Sequence, residues 1–240
     1  MITSEIIQRI QSAYSKGVQS DDSRLTPRHI YNKIITVRSK LISQKAKKKQ
    51  RINQWNFQTI PCVELIKVPK SECPCVPPLG CKIYRSKYKL PKPLMNLDNH
   101  LIESVTTVDG STVYNEIGWV EAKYKSSNRY TSNKPDYFIR NEYLYIIQKK
   151  GASVIAITGL FENPYEVINY ESVCGECESC DNCVSPLDLE FPIDDDMIDT
   201  LIEMSLQELL MIFSQAQEDK TNDATDGTNF TINKSNAQNR

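Results

Sequence analysis

The helix-forming run after Phe191-Pro192-Ile193-Asp194-Asp195-Asp196 is apolar on nearly every side. Ile198, Leu201, Ile202, Leu209 and Ile212 share one face, and Leu206, Leu210 and Phe213 share another. A helix with two oily faces needs neighbours in several directions. In a chain of 240 residues those neighbours are as readily other subunits as other parts of one fold. The three carboxylates Asp194 to Asp196 suit the positive end of a helix dipole. The pattern predicts a helix from there to about Gln217. Beyond Glu218 the chain is Asp, Asn, Thr, Ser and Gly with almost nothing apolar, a composition expected to be disordered in isolation.

The other end is also helical. Ile2, Ile6, Ile7, Ile10 and Ala13 recur at helical spacing, and Gly17 is a natural stop. After Asp21-Asp22-Ser23-Arg24-Leu25, Thr26 is placed as an N-cap with Pro27 at the first helical position, where its fixed φ fits. Ile30, Ile34, Val37 and Leu41 then form one stripe, and Tyr31, Ile35, Arg38 and Ile42 the stripe beside it. The pattern dissolves in Lys45, Lys47, Lys48, Lys49 and Arg51, so a basic, solvated helix end is expected near Lys49.

Between the helical ends the chain is β-prone. Residues Pro61 to Val68 read as a short strand, and Pro69 to Gly80 as a turn-rich loop. Asp109-Gly110 predicts a type I′ turn joining Val105-Thr106-Thr107-Val108 to Ser111-Thr112-Val113-Tyr114. A second hairpin is expected between Tyr143–Ile147 and Val154–Ile157 through Lys150-Gly151. Ser126 to Asp136 is polar and loop-like. The combined expectation is an α+β protomer in which the N-terminal helical hairpin (1–54) and the closing helix (186–217) form a helical bundle. A β-hairpin-rich, Cys-containing region (55–185) is inserted between them, and 218–240 is a polar tail.

Charge is balanced overall, Lys+Arg 29 against Asp+Glu 30, so the whole-molecule field favours neither nucleic acid nor acidic partners. Glu5 within the first amphipathic helix argues against a signal peptide, and no apolar run approaches the roughly 20 residues of a membrane span. The chain therefore reads as soluble and intracellular in origin. Eight cysteines without an export signal point to reduced thiols or a metal site before a disulfide scaffold.

Cys174, Cys177, Cys180 and Cys183 follow at unbroken two-residue gaps, close enough for four thiolates to reach one tetrahedral Zn²⁺. The last gap is too short for a cluster-binding ferredoxin run. Cys62, Cys73, Cys75 and Cys81 form a second group in a Pro-rich loop. Two structural zinc sites, one shared site, disulfides, and free thiols all remain open on spacing alone. The two histidines, His29 and His100, lie far apart, and neither a phosphate-cradling glycine loop nor a Gly-x-Ser-x-Gly elbow is present. With no nucleophile–base or metal–water constellation, the chain does not read as an enzyme. The Lys45 to Arg51 run suits sequence-independent phosphate contacts, and equally suits a solvated helix end. Trp55 and Trp119 fit either interface anchors or core.

The Asp-Asp-Ser-Arg-Leu-Thr-Pro-Arg-His-Ile-Tyr segment, the helix carrying Arg38 onward, and the Phe-Pro-Ile-Asp-Asp-Asp helix closing on Glu218-Asp219-Lys220-Thr221-Asn222-Asp223 resemble head-to-tail connector proteins of crAss-like bacteriophages. More distantly they are similar to the adaptor rings of short-tailed phages. The likeness is best over about 1–60 and 185–225. It implies a homo-oligomeric ring, typically of twelve copies, docked under the portal protein, joined to the next tail ring or tail-tube protein, and lining the channel for genome and cargo. It also implies a virion location, with assembly in the host cytoplasm. Closed rings need heterologous interfaces between different faces of one protomer. Arg24, Arg28, Arg38, Leu201, Leu209 and Phe213 are the expected interface residues, with non-specific DNA contact in the channel as a further expectation. The competing reading is a zinc-binding regulatory or nucleic-acid-binding module built on the cysteine loops.

Overall fold

The computed structural model describes residues 1–17, 25–68, 83–96, 99–124, 130, 133–147, 152–170 and 185–212. Its strands are β1 (Gln58–Lys67), β2 (Ile83–Ser86), β3 (Met95–Asn96), β4 (Asn99–His100), β5 (Ile102–Thr107), β6 (Val113–Glu116), β7 (Asp136–Arg140), β8 (Tyr143–Ile147) and β9 (Val154–Gly159). Seven of these close into a barrel in the order β1-β2-β8-β7-β6-β5-β9, and β3 and β4 pair separately. This corrects the expected architecture. The β region is not a set of hairpins inserted into a helical bundle but a closed barrel. Closure satisfies the strand edges that projecting hairpins would leave open.

The strand pattern explains the barrel's two apolar layers. Val63 and Leu65 of β1, Tyr137 of β7, Leu144 and Ile146 of β8, and Ile155 and Ile157 of β9 alternate at period two and meet in one buried cluster. The neighbouring positions Phe138, Tyr145 and Ile147 point the other way, into a second cluster with Val68, Ile83 and Ala122. A short helix, α3 (Trp119–Tyr124), contributes to that cluster. The Trp119 ring meets Phe138 edge-on at 5.2 Å, and Phe138 stacks on Tyr145 at 5.0 Å. Thus β7 and β8 are buried on both faces, and β8 reads as a continuous apolar run.

Irregularities in the barrel have identifiable causes. β1 pairs with β9 along its first part and with β2 along its last, with a register shift between Ile60 and Val63. Pro61 lies at that break, and a proline cannot donate to the ladder. Gly159 ends β9 where a Cβ would stand 3.3 Å from the Leu101 carbonyl oxygen. The β5–β6 hairpin has the expected register, with Val105 opposite Tyr114. Its tip is not type I′, however. Gly110 alone takes a positive φ, +70°, and donates its N–H to the Thr107 carbonyl.

The second expected hairpin does not form. β8 pairs with β7 and β2, whereas β9 pairs with β1 and β5. The hairpin is β7–β8 instead, closed by Asn141 and Glu142, both with positive φ (52° and 66°). This is the φ pattern of a two-residue type I′ loop. Glu142 is an unusual residue there. Its carbonyl accepts from the Leu90 N–H at 2.7 Å and its carboxylate pairs with Lys89 at 2.8 Å.

The helices are α1 (Thr3–Tyr14), α2 (Pro27–Lys47), a 3₁₀ turn η1 (Gln54–Asn56), α4 (Pro164–Ile168) and a final helix, α5, over residues 195–212. Thr26 caps α2 as expected, its Oγ1 accepting from the His29 N–H. α1 and α2 both end in a left-handed lysine, Lys16 (φ 52°) and Lys49 (φ 54°). In each, the next N–H reaches back five residues, Gly17 to Ser12 and Gln50 to Lys45, which is the Schellman closure.

The chain divides into two compact units, one of residues 1, 3–37 and 195–240, the other of residue 2 and 38–194. In the first, Lys33 of α2 pairs with Glu208 of α5 at 2.7 Å. The second contains the barrel.

Candidate assembly surfaces

Arg38 lies on a helical face otherwise made of Ile34, Val37, Leu41 and Ile42. It is fully buried with them. Its guanidinium donates to three backbone carbonyls. Nε donates to the Pro192 carbonyl at 2.7 Å, Nη1 to Phe161 at 2.9 Å and Nη2 to Asn56 at 3.2 Å. The Phe191 ring lies 6.0 Å from the guanidinium carbon. Asn56, also fully buried, donates from Nδ2 to Asp194 Oδ2 at 2.6 Å and accepts from the Asp194 N–H. The planar fork of an arginine suits three carbonyls arriving from different segments, which a lysine cannot match. Arg38 is therefore an internal clamp rather than an interface side chain. Its partners Asn56, Phe161 and Pro192 could not be read from the sequence. The signal that was there is its place in an apolar stripe.

The other expected interface residues divide. Arg28 is exposed, whereas Leu201 and Leu209 are 0% and 1% exposed and are covered within a single chain. Arg24 and Phe213 lie outside the described residues. On α5, Met197, Leu201, Ser205 and Leu209 make the buried stripe. Next to it Ile198, Ile202, Leu206 and Leu210 repeat every four residues, and exposure rises along them from 6% at Ile198 to 47% at Leu210. Met211 and Ile212 continue the exposed end at 69% and 53%. The two-faced helix thus buries one face in its own chain and presents part of the other. A smaller exposed pair, Val120 and Tyr124, lies one helical turn apart on α3, opposite Ala122.

Polar groups on the barrel are engaged with each other. A groove of about 390 Å³ is lined by Tyr88, Lys89, Lys92, Glu142 and Glu166 among others. Lys89 pairs there with Glu142, which holds the Glu142 carboxyl below the usual carboxylate range, while Lys92 pairs with Glu162. At the β5–β6 tip, hydrogen bonds from the Thr107 and Ser111 hydroxyls hold the Asp109 carboxyl low. His100 Nδ1 lies 2.8 Å from Glu116, and His29 is exposed. Asp194 is buried against Asn56 while Asp195 and Asp196 are exposed.

Cys62 is buried in β1 and disulfide-bonded, so it is not a thiolate ligand in this structure. Cys73, Cys75, Cys81 and the run Cys174, Cys177, Cys180 and Cys183 lie outside the described residues. No helix among the described residues is long and apolar enough to cross a membrane.

The described residues thus form a closed barrel and a helical unit whose final helix leaves part of an apolar face exposed. Comparison with known proteins gives the family. The family model described as phage tail ring protein 2 matches residues 5–229. Ring protein 2 of Bacteroides phage crAss001 is 30% identical over 204 residues, covering 80% of this chain and 84% of the relative. The chain belongs to the crAss-like phage tail ring protein 2 family, and is accordingly a structural ring protein of the phage particle. This is a family of structural proteins, not of enzymes.

Proposed function

We propose that the chain assembles with copies of itself into a closed ring at the joint between phage head and tail. Twelve copies, docking beneath the portal, a seam with the next tail ring or tail tube, and a lumen passing genome and cargo are parts of this reading taken from the connector resemblance. The observation that carries self-assembly is the ridge Ile202, Leu206, Leu210 on α5, continued by Met211 and Ile212. One apolar face of that helix is covered by its own chain, and the next is left increasingly bare. A contiguous apolar surface on a structural protein marks an interaction site. A ring supplies the occupant, because each protomer must offer two different, complementary faces. Structural zinc held by Cys174, Cys177, Cys180 and Cys183 is part of the proposal, and metal analysis of the reduced, purified protein tests it.

The ring reading is tested by imaging virions decorated with an antibody to this chain, and by measuring particle mass of the assembled neck. Label at the head–tail joint with ring symmetry is expected. Label elsewhere on the particle would reject the placement, and a monomer within intact necks would reject the ring.

A further inference from the structure

From Ser23 to Val63 the chain carries ten Lys and Arg and no Asp or Glu, although its net charge is −1. The structure shows how these cations divide. Lys33 pairs with Glu208, and Arg38 is buried and donates to three backbone carbonyls. Lys47, Lys48, Lys49 and Arg51 are exposed, and none of them shares an ion pair with a described residue. A helix C-terminus favours cations, but that effect fades within the last turn. It accounts for Lys47 and not for the three charges beyond it.

The geometry of this segment is set from inside. Lys49 sits at φ 54°, a left-handed conformation that strains a residue carrying a Cβ. It is held there by its N–H on Ala46 and by Gln50 on Lys45, each at 3.0 Å. Asn53 caps η1 by accepting from the Gln54 N–H at 2.8 Å. Asn56 anchors the far end, donating to the Asn53 carbonyl and to Asp194 while its own carbonyl takes Arg38 Nη2. Trp55 rides on this anchored turn with 69% of its surface exposed. The segment is fixed underneath and shows four cations and an indole outward.

We propose that residues 47–55 form a sequence-independent nucleic-acid contact, in which Lys47, Lys48, Lys49 and Arg51 meet backbone phosphates and Trp55 lies against the nucleotides. An acidic protein segment would match the cations, but it gives the exposed indole nothing to do. A nucleic acid matches both, through phosphates and through the π-faces of bases or the apolar faces of sugars. The inference does not depend on the ring, since the surface lies within one chain.

The test is a titration of the full-length protein with a mixed-sequence DNA duplex, followed by anisotropy and by tryptophan emission, with polyglutamate as the competing polyanion. Four phosphate contacts predict a slope of log K against log salt of about −3.6, or roughly a hundredfold weaker binding at 200 mM than at 50 mM salt. The quadruple variant K47A/K48A/K49A/R51A should lose well over a hundredfold at the lower salt, remain weaker than the parent at 200 mM, and flatten the slope towards zero. The control K87A/K89A/K92A, whose lysines are ion-paired on Glu64, Glu142 and Glu162, should bind within about twofold of the parent. The DNA-dependent change in emission should disappear in Trp55→Phe, with Trp119 still present. No duplex binding at 50 mM salt overturns the proposal, as does equal binding by the quadruple variant. Polyglutamate binding as tight as duplex, with Trp55 silent, would assign the surface to an acidic protein partner and overturn it too.

Discussion

Arg38 illustrates how a charged side chain becomes structural when its partners are backbone atoms. Replacing it by alanine strands the Pro192, Phe161 and Asn56 carbonyls in a buried setting. A buried acceptor left without its donor costs about 1–3 kcal/mol, so Arg38→Ala should lower the unfolding free energy by about 3 kcal/mol or more, read from urea melts. Arg38→Lys should recover only part, because one ammonium cannot reach three divergent acceptors. Glu142 offers a test of the opposite sign. Its positive φ is strained for any residue with a Cβ. Glu142→Gly should therefore be more stable than Glu142→Ala in urea melts, since both lose the exposed Lys89 pair and only glycine relieves the backbone. Arg38 was legible from sequence as a member of an apolar stripe. Its role was not, because its acceptors are carbonyls from segments far away along the chain, which side-chain chemistry does not reveal.

Among the elements, α5 carries the clearest division of labour. Leu209→Asp places a charge at a site 1% exposed and should cost more than about 3 kcal/mol, read as loss of the folded circular dichroism signal. Leu210→Asp, one residue on and half exposed, should leave the melt within about 0.5 kcal/mol while reducing the assembled mass in light scattering. If both variants fold and assemble, the exposed ridge is not a subunit contact. The helical elements were readable because their signals are local: Thr26-Pro27 starts α2, and aliphatic spacing marks α1, α2 and α5. Of the strands, β1, β5, β6, β8 and β9 were readable, whereas β2, β3, β4 and β7 were not, being short or flanked by charged residues such as Asp136 and Arg140. Their pairing was misread between β8 and β9, since Lys150-Gly151 is a stronger turn signal than Asn141-Glu142. The left-handed Glu142 is held by Leu90 and Lys89, contacts that no local pattern announces.

At the scale of the whole molecule, closure of the barrel is what sequence periodicity did not convey. Runs such as Tyr143–Ile147 suit a hairpin buried on one face and a barrel wall covered on both, and only tertiary pairing decides. The barrel interior also sets an alkaline limit. Burial, with the nearby Glu116 charge, pushes the Tyr137 hydroxyl well above its ordinary value, and burial raises Tyr114 in the same direction. Both phenols are favoured neutral in the fold, whereas in the unfolded chain they ionise near pH 10. Their contribution is complete below about pH 10 and is lost as pH rises beyond it. Urea midpoints should hold from pH 8 to 9.5 and fall above 10, and Tyr137→Phe should blunt that fall. The one parallel junction, β6 with β7, spans only Asn115 opposite Asp136 and Glu116 opposite Tyr137. Every other neighbouring pair in the wall is antiparallel. The cylinder has a narrow seam there, two rungs joined in parallel through the intervening α3. Amide exchange should find Asn115 and Ile117 opening ahead of the β1–β9 wall, so that mechanical stress in a working particle would unwrap the barrel from that line.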